Sequence, residues 1–305
     1  MAINPEKFKD VKILVVGDIM LDEYVSGKCH RVSPEAPVPV ILNPETEYVL
    51  GGAGNVLANV LSLGAQAQIF TVISDDDAGI KVTKLIEKIT GSSGTLGGTI
   101  STGGRPTTRK QRIVANGQQV ARIDYECTDE FPFKANQWCG DVLHNQIKWA
   151  DLVIVSDYGK GLITEHMMSD ILISCRDIGV KFIVDPKGKK FYKYKGAEVI
   201  TPNEKELNES DYNAQHYSSH ILMTAGSRGV VLSKKGIGGV LKTEIPAEAK
   251  AVCDVSGAGD TVIAALGVAL ATGCSLEESA RFANKCAGIV VGKPGTATVV
   301  VEDIG

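Results

Sequence analysis

The chain has 305 residues, of which 44% are hydrophobic, and its formal net charge is −4 at pH 7. This length allows a substantial core, and the acidic balance disfavours nucleic acid as a partner because it provides no basic footprint. No apolar run reaches the roughly 18 residues that a membrane span needs. Seven cysteines without a Cys-x-x-Cys pair indicate reduced thiols and predict a cytoplasmic protein.

The first third of the chain alternates strand-like and helix-like segments. A continuous apolar run at residues 13–16 is typical of a buried strand, and residues 53–63 have helical spacing. Residues 68–73 predict a second strand, followed by a helix through about Ile89. Next comes a Gly/Ser/Thr-rich stretch at residues 91–104, for which we predict a loop.

Two stretches interrupt this alternation. Residues 25–48 hold four of the eleven prolines and favour extended, edge-like chain. Residues 107–125 alternate polar and apolar side chains around an Asn-Gly pair, which predicts two antiparallel strands. We interpret segments 25–50 and 97–125, with approximate limits, as a small β-sheet lid. It would exclude water from an active site or form the interface of a homodimer, and the two roles are compatible.

The second half of the chain returns to the alternating pattern. It contains strand-like segments at 152–155, 182–184 and 221–223, and helix-like segments at 164–176 and 203–208. Strands that alternate with helices predict an α/β fold, with a mostly parallel sheet and helices on both faces. We predict a single domain over residues 1–305 that carries the lid.

The most informative motif is Gly257-Ala258-Gly259-Asp260, which opens an apolar helical run. Backbone amides of the three small residues at a helix N-terminus can hold anionic oxygens. Asp260, in the first turn, can then take a proton from a hydroxyl beside that anion hole. Phosphoryl transfer from a nucleotide to an alcohol needs both features. Taken alone, the motif equally fits a tight helix entry with a favourable first-turn acid.

Other segments give the chain a resemblance to the ribokinase-like (PfkB) carbohydrate kinases over nearly its full length. Gly-Ala-Gly-Asp and Gly51-Gly52-x-x-Asn55 are typical of that family, and segments 33–40 and 156–161 resemble the heptose 7-phosphate kinases within it. Further matching segments are 17–22, 118–119, 122–124, 185–188, 201–203 and 282–296. The resemblance implies a three-layer α/β/α fold with a mostly parallel central sheet and a small β-sheet lid.

The resemblance also implies roles on the sugar side of the site. Asp22 follows the first predicted strand, at the sheet edge where ligands bind, and would accept hydrogen bonds from sugar hydroxyls; the alternative is a capping or loop acid. Gly51 and Gly52 would let the backbone approach the sugar. Asn55 would offer the sugar both a donor and an acceptor.

Three further residues are candidate sugar-phosphate ligands. Asp157 belongs to one of the heptose-kinase segments. Lys110 and Arg112 lie two apart on a predicted lid strand, so they share a face, and they would neutralise the 7-phosphate of the sugar. The alternative for these two charges is a solvated strand face.

On the nucleotide side, Asn203 and Glu206 form the Asn-x-x-Glu pattern that organises Mg²⁺ in this family, largely through water. The same pair fits a helix N-cap and its capping box. Lys187 follows a predicted strand end that should face the nucleotide. Thr224, Gly226 and Gly229 lie in a predicted nucleotide-binding turn that also fits a glycine-rich hairpin. Asn284 is a further nucleotide candidate, on a helix that also fits the core. Asp254 lies in a region that helps bind a monovalent cation such as K⁺ in many relatives.

These observations predict an ATP- and Mg²⁺-dependent sugar kinase. Asp260 would deprotonate the anomeric hydroxyl of D-glycero-β-D-manno-heptose 7-phosphate, giving the 1,7-bisphosphate for ADP-heptose and lipopolysaccharide core synthesis. The expected partners are this sugar phosphate, ATP and a second copy of the chain, without nucleic acid or membrane. One alternative is a kinase for another sugar or sugar phosphate. The other is a non-catalytic sugar or nucleotide sensor, against which the intact Gly-Ala-Gly-Asp motif argues.

Overall fold

The computed structural model describes residues 3–91, 96–101, 104–131, 137–211, 216–236, 239–248 and 252–304, and the strands among these residues form two sheets. The strands are Lys12–Gly17 (β1), Ile19–Val32 (β2), Pro39–Gly52 (β3), Gln66–Ile73 (β4), Leu96–Ser101 (β5), Arg109–Ala115 (β6), Gln118–Tyr125 (β7), Leu152–Ser156 (β8), Lys181–Asp185 (β9), Ala197–Ile200 (β10), Ser218–Thr224 (β11), Val230–Gly236 (β12) and Gly239–Ile245 (β13). The α-helices are Ala53–Ser62 (α1), Asp77–Thr90 (α2), Gln137–Trp149 (α3), Glu165–Ile178 (α4), Glu204–Glu209 (α5), Ala258–Ala271 (α6), Leu276–Val290 (α7) and Val301–Ile304 (α8).

The central sheet has the strand order β13-β12-β11-β10-β9-β8-β1-β4-β5. The strands from β11 through β1 to β5 in this order run parallel to one another. Strands β12 and β13 extend the sheet at one edge by antiparallel pairing. In β1, Ile13 and Val15 join a core with α1, α2, α6 and α7, whereas Leu14 and Val16 join a second core with α3 and α4. Burial on both faces explains the continuous apolar run, and the predicted three-layer α/β/α fold is confirmed.

Two predictions for one stretch are wrong. Residues 91–104 were expected to form a loop, and residues from about 97 onwards to belong to the lid, but they contain β5, which pairs in parallel with β4 of the central sheet. The reason is tertiary: β4 offers an unpaired edge, and backbone pairing opposite Thr71 and Val72 satisfies that edge whatever the side-chain pattern of the added strand. Residues 92–95 and 102–103 of this stretch lie outside the described part of the chain.

The second sheet, with the order β3-β2-β6-β7, is the small sheet predicted from the prolines and the alternating segment. Strands β6 and β7 form the predicted hairpin, and its turn residues Asn116 and Gly117 have φ of 51° and 81°, as a tight hairpin turn requires. Strand β2 pairs with β3 in antiparallel and with β6 in parallel orientation. Because β2 begins at Ile19, Asp22 is a strand residue of this small sheet rather than a loop residue after β1.

Helix α6 carries the catalytic motif into the centre of the molecule. It is buried from Asp260 through Ala269, on all its faces, because small residues allow close packing. At Gly267, for example, a Cβ would lie only 2.7 Å from Ile154 of β8. Nowhere in the described ranges is there a helix with both the length and the apolar character needed to cross a bilayer.

Candidate active site

Asp260 lies in the first turn of α6 with both carboxylate oxygens hydrogen-bonded. The Asn55 amide donates to Oδ2 at 2.8 Å, and the Tyr158 hydroxyl donates to Oδ1 at 2.7 Å. Burial raises the pKa of Asp260 to about 6, and the charge of Asp22 contributes to this rise, while the two hydrogen bonds oppose it. Asp260 is therefore mostly ionised at neutral pH, with a pKa suited to a general base.

A series of hydrogen bonds between side chains of α1 and α6 orients Asn55. Asn59 Nδ2 donates to the Asn55 backbone oxygen at 2.9 Å and to its Oδ1 at 3.2 Å, and Thr261 Oγ1 donates to Asn59 Oδ1 at 3.1 Å. Because the Asn55 side-chain oxygen accepts from Asn59, its amide nitrogen is the group that faces Asp260. Sequence reasoning identified Asn55 as a sugar ligand and missed this second contact.

The N-terminus of α6 has the form expected of an anion hole. Gly257 is the N-cap with φ +77°, and no side chain within the described ranges caps the helix. A Cβ at Gly257 would lie 2.5 Å from Asn55 Nδ2, so this position requires glycine. The Ala258 amide donates to the Val255 carbonyl at 3.3 Å, which leaves Gly257 and Gly259 as the stronger anion donors.

The predicted sugar-side residues lie together next to the base. Gly51 stands against Asp22, whose Oδ2 would collide with any Cβ at position 51. Gly52 has φ +58°, and a Cβ there would approach the Asp18 carbonyl to 2.5 Å. Both glycines are therefore required by contacts within the protein, and their approach to a sugar stays a prediction. Asp22 lies near enough for its charge to raise the pKa of Asp260.

The two basic residues of β6 share a face of the small sheet, as predicted. The Arg112 guanidinium lies 2.6 Å from Asp22 Oδ1, and Lys110 Nζ lies 3.1 Å from Asp124 and 3.4 Å from Glu126. Their side chains are only 18% and 16% exposed. They belong to an ion-pair network at the site rather than to a solvated strand face.

A cleft next to the start of α6 contains four of the predicted nucleotide-side residues, Lys187, Asn203, Glu206 and Thr224. Its lining includes Asp157, Tyr158, Asp185, Pro186, Lys187, Thr201, Asn203, Glu206, Thr224 and Gly259. Asn203 and Glu206 form a complete capping box at the start of α5. Glu206 also lies 2.7 Å from Lys187 Nζ. Because Gly259 belongs to the same lining, the cleft adjoins the anion hole.

Asp185, at the end of β9, is a candidate that sequence reasoning missed as a ligand. Burial and the nearby charge of Asp260 hold the pKa of its carboxyl well above the usual range, and it accepts a hydrogen bond from Thr201 at 2.9 Å. The available signal was its position at the carboxyl end of a predicted parallel strand.

The acids of this cleft fit Mg²⁺ held through water. Asp185 and Glu206 supply the hard oxygen atoms that this ion prefers, and Asn203 lines the same cleft. Within the described ranges, no three His, Cys, Asp or Glu side chains form a group able to hold a metal ion directly. Mg²⁺ usually keeps several waters in proteins, so few direct ligands would be needed to hold it here.

Asp157 contacts other residues of the protein with both of its oxygens. It is 2% exposed, lies 2.5 Å from Lys193 Nζ, accepts from the Tyr194 hydroxyl at 2.7 Å and from the Gly159 amide at 2.7 Å. These bonds assign Asp157 to holding the turn after β8. The neighbouring Tyr158, rather than Asp157, is the residue of this turn whose side chain contacts the base.

The remaining candidates lie in a tight turn, at a strand end, on a core helix and in a loop. Gly226 and Gly229, with φ of +57° and +90°, form the short turn between β11 and β12, and Thr224 beside them lines the cleft. Asn284 is 4% exposed and donates to a carbonyl of the loop after β13 at 2.8 Å. Asp254 accepts from the amide two residues further along at 2.8 Å. Their ligand roles stay predictions.

A buried carboxylate at a helix N-terminus, beside an acidic cleft that adjoins the anion hole, fits phosphoryl transfer to an alcohol. The family model for pfkB family carbohydrate kinases matches residues 10–303, and the chain belongs to that family. It is a phosphotransferase that acts on a sugar hydroxyl. Curated relatives include the bifunctional protein HldE of Desulfatibacillum aliphaticivorans, 42% identical over 96% of this chain, and that of Sulfurimonas denitrificans, 38% identical over 96%. The chain spans 62% and 63% of their lengths.

Solved structures show the same fold. The ribokinase of Thermotoga maritima superposes with a TM-score of 0.72 at 22% identity, covering 96% of this chain and 98% of its own. The Arabidopsis thaliana ribokinase complexed with ribose and ATP gives 0.71 at 21% identity, covering 96% and 95%. The ribokinase-like fold is thereby confirmed.

Proposed function

We propose that the chain transfers the γ-phosphoryl group of ATP to the anomeric hydroxyl of D-glycero-β-D-manno-heptose 7-phosphate. The product is the 1,7-bisphosphate, a precursor of ADP-heptose and the lipopolysaccharide core. Membership of the carbohydrate kinase family supports the reaction class. The two heptose-kinase segments, 33–40 and 156–161, and the 38–42% identity with HldE proteins support the choice of sugar.

The position of Arg112 carries the argument for a phosphorylated sugar. Its guanidinium lies 2.6 Å from Asp22, the candidate ligand of the sugar hydroxyls. A cation at that distance supports a binding site for an anionic group next to the proposed sugar site, because a guanidinium matches phosphate with two parallel hydrogen bonds. Lys110 on the same face adds a second positive charge. A neutral sugar would leave both cations with only their carboxylate partners, whereas a phosphate group would add an anion that they can bind.

The proposed reaction proceeds in one displacement. Asp260 accepts the proton of the anomeric hydroxyl, whose oxygen forms a bond to the γ-phosphorus. The bond from that phosphorus to the bridging oxygen breaks, and ADP leaves. The amides of Gly257 and Gly259 would donate to the phosphoryl oxygens as charge accumulates there.

Mg²⁺ would neutralise the nucleotide phosphates when bound. Asp185, Asn203 and Glu206 would hold it through water, because their oxygens line the cleft. A monovalent cation near Asp254, such as K⁺, stays a prediction from the family resemblance.

An ADP-release assay with a panel of acceptors tests this proposal. The panel contains heptose 7-phosphate of both anomeric forms, fructose 1-phosphate, tagatose 6-phosphate and a nucleoside, each with Mg-ATP. Turnover of the β-heptose phosphate above all others supports the proposal. A preference for another acceptor would indicate a different sugar kinase, and tight binding without turnover would indicate a sensor. An Asp260→Asn protein measures background ATP hydrolysis.

We also propose a cytoplasmic homodimer joined through the small sheet. Strands of this sheet expose large apolar side chains, among them Val32 at 64% and Ile123 at 43%. Exposed apolar side chains are frequent at protein interfaces. Sedimentation of the native chain and of an Ile123→Lys variant tests this assembly, which predicts a dimer that dissociates in the variant.

A further inference from the structure

Tyr158 connects the two sides of the active site. Its backbone amide donates to Asp18 Oδ2 at 2.9 Å, which fixes the turn after β8. Its ring lies beside Gly52, one of the predicted sugar-side residues. A Cβ added at Gly52 would lie 3.5 Å from Cδ2 of Tyr158. The same side chain lines the cleft on the nucleotide side, and its hydroxyl donates to Asp260 at 2.7 Å.

The phenol can only act as a donor to this carboxylate. Burial, together with the charges of Asp260 and Asp185, holds the pKa of the Tyr158 phenol well above its usual range, so the hydroxyl keeps its proton. A carboxylate oxygen that accepts this bond favours the ionised form of Asp260. The bond also limits rotation of the carboxylate, because Asn55 holds the other oxygen from the opposite direction.

We propose that Tyr158 is a positioning residue of the kinase reaction, whose hydroxyl holds the Asp260 carboxylate through Oδ1 in the orientation that receives the proton of the sugar hydroxyl. This inference rests on the proposed role of Asp260 as the base, but not on which sugar is the substrate. The ionisable groups that face Asp260 are Asp22 from β2, Asp185 from β9 and Tyr158 itself.

A matched control exists within the same region. Tyr194 is also buried, and its hydroxyl donates to the buried Asp157 at the same distance of 2.7 Å. Replacing either tyrosine by phenylalanine removes one short phenol–carboxylate hydrogen bond, and Tyr194→Phe also removes the bond that the Lys187 amide donates to its hydroxyl at 2.9 Å. Only the Tyr158→Phe change removes a bond to the base.

The test compares the pH dependence of kcat/KM for the native enzyme, Tyr158→Phe and Tyr194→Phe, with whichever sugar the native enzyme accepts best. In Tyr158→Phe, the acidic limb should move to higher pH by about one unit. We expect kcat at pH 7 to fall about tenfold and KM for ATP to change less than about threefold. In Tyr194→Phe the acidic limb should stay in place. An unmoved limb in a folded Tyr158→Phe protein, or equal shifts in both variants, would overturn the proposal.

Two further measurements keep the proposal testable if Tyr158→Phe folds poorly or turnover is low. Incorporation of 3,5-difluorotyrosine at position 158 preserves the shape and makes the phenol a stronger donor, so the acidic limb should move to lower pH. The Asp260 carboxyl carbon, assigned by its loss in Asp260→Asn, should titrate at higher pH in Tyr158→Phe by NMR without any substrate. If neither titration moves, Tyr158 does not act on the base. If only the choice of sugar fails, these readouts remain valid.

Discussion

Replacing Arg112 by methionine should change the preference of the enzyme between phosphorylated and unphosphorylated sugars. The variant keeps a long side chain on β6 but loses the guanidinium that lies 2.6 Å from Asp22. Two effects follow from the structure. The sugar phosphate loses a charged donor, and Asp22 loses the cation that competes with sugar hydroxyls for its oxygens.

The size of each effect follows from the type of bond. A hydrogen bond to a charged group contributes about 1.5–3 kcal/mol, which corresponds to a loss of about 10- to 150-fold in kcat/KM for heptose 7-phosphate. The unphosphorylated heptose has no phosphate to place against Arg112. For that sugar, kcat/KM should stay within about threefold of the native value or rise, because Asp22 becomes free to bind it.

Arg109→Met is the matched control for this experiment. Arg109 lies on the same strand but on the opposite face, where it pairs with Glu23 at 3.5 Å and lies over the Tyr125 ring at 4.0 Å. Steady-state ADP release with both sugars should show a changed ratio in Arg112→Met and a nearly native ratio in Arg109→Met. Equal losses for both sugars in Arg112→Met, or no loss with the sugar phosphate, would refute the assignment.

Three other predictions follow from the site. Asp260→Asn should lower kcat by about 100-fold or more while a nucleotide titration shows ATP affinity nearly unchanged, because only the base is lost; near-native turnover would contradict the assignment. In the native enzyme, kcat/KM should decline as pH falls through the Asp260 pKa of about 6, since protonation removes the acceptor, and a flat profile from pH 5 to 8 would exclude Asp260 as the base. Asp157→Asn should lower the free energy of unfolding by roughly 3 kcal/mol in urea titrations, because it breaks the buried ion pair with Lys193. A large rise in the KM for the sugar without that loss of stability would instead support the predicted role of Asp157 in substrate binding.

The fold could be predicted largely because its signals are local. Continuous apolar runs indicate strands buried on both faces, and the Asn116-Gly117 pair fixed the position of the β6–β7 hairpin. Strand β5 was missed because its Leu-Gly-Gly-Thr-Ile-Ser sequence has no clear pattern of its own. Its strand state depends on the edge of β4, which is a tertiary fact.

The site shows the same limit at the level of single side chains. The sequence motif identified Asp260, but not that Tyr158, 102 positions earlier, donates to it. Asp22 and Arg112 were both identified, with separate roles, while the structure joins them across 90 positions of sequence. Motifs indicate which residues carry the chemistry, whereas long-range contacts decide which of them act on each other.

Each cationic candidate of the site already has an anionic partner, and this arrangement bears on specificity. Arg112 pairs with Asp22, Lys110 with Asp124, and Lys187 with Glu206. When an anionic group of a substrate binds one of these cations, it takes the place of the carboxylate partner, so that the cation stays paired. A neutral substrate leaves these pairs intact and gains no charge interaction from the cations. We therefore expect the pairs to contribute to specificity only where a substrate group carries negative charge.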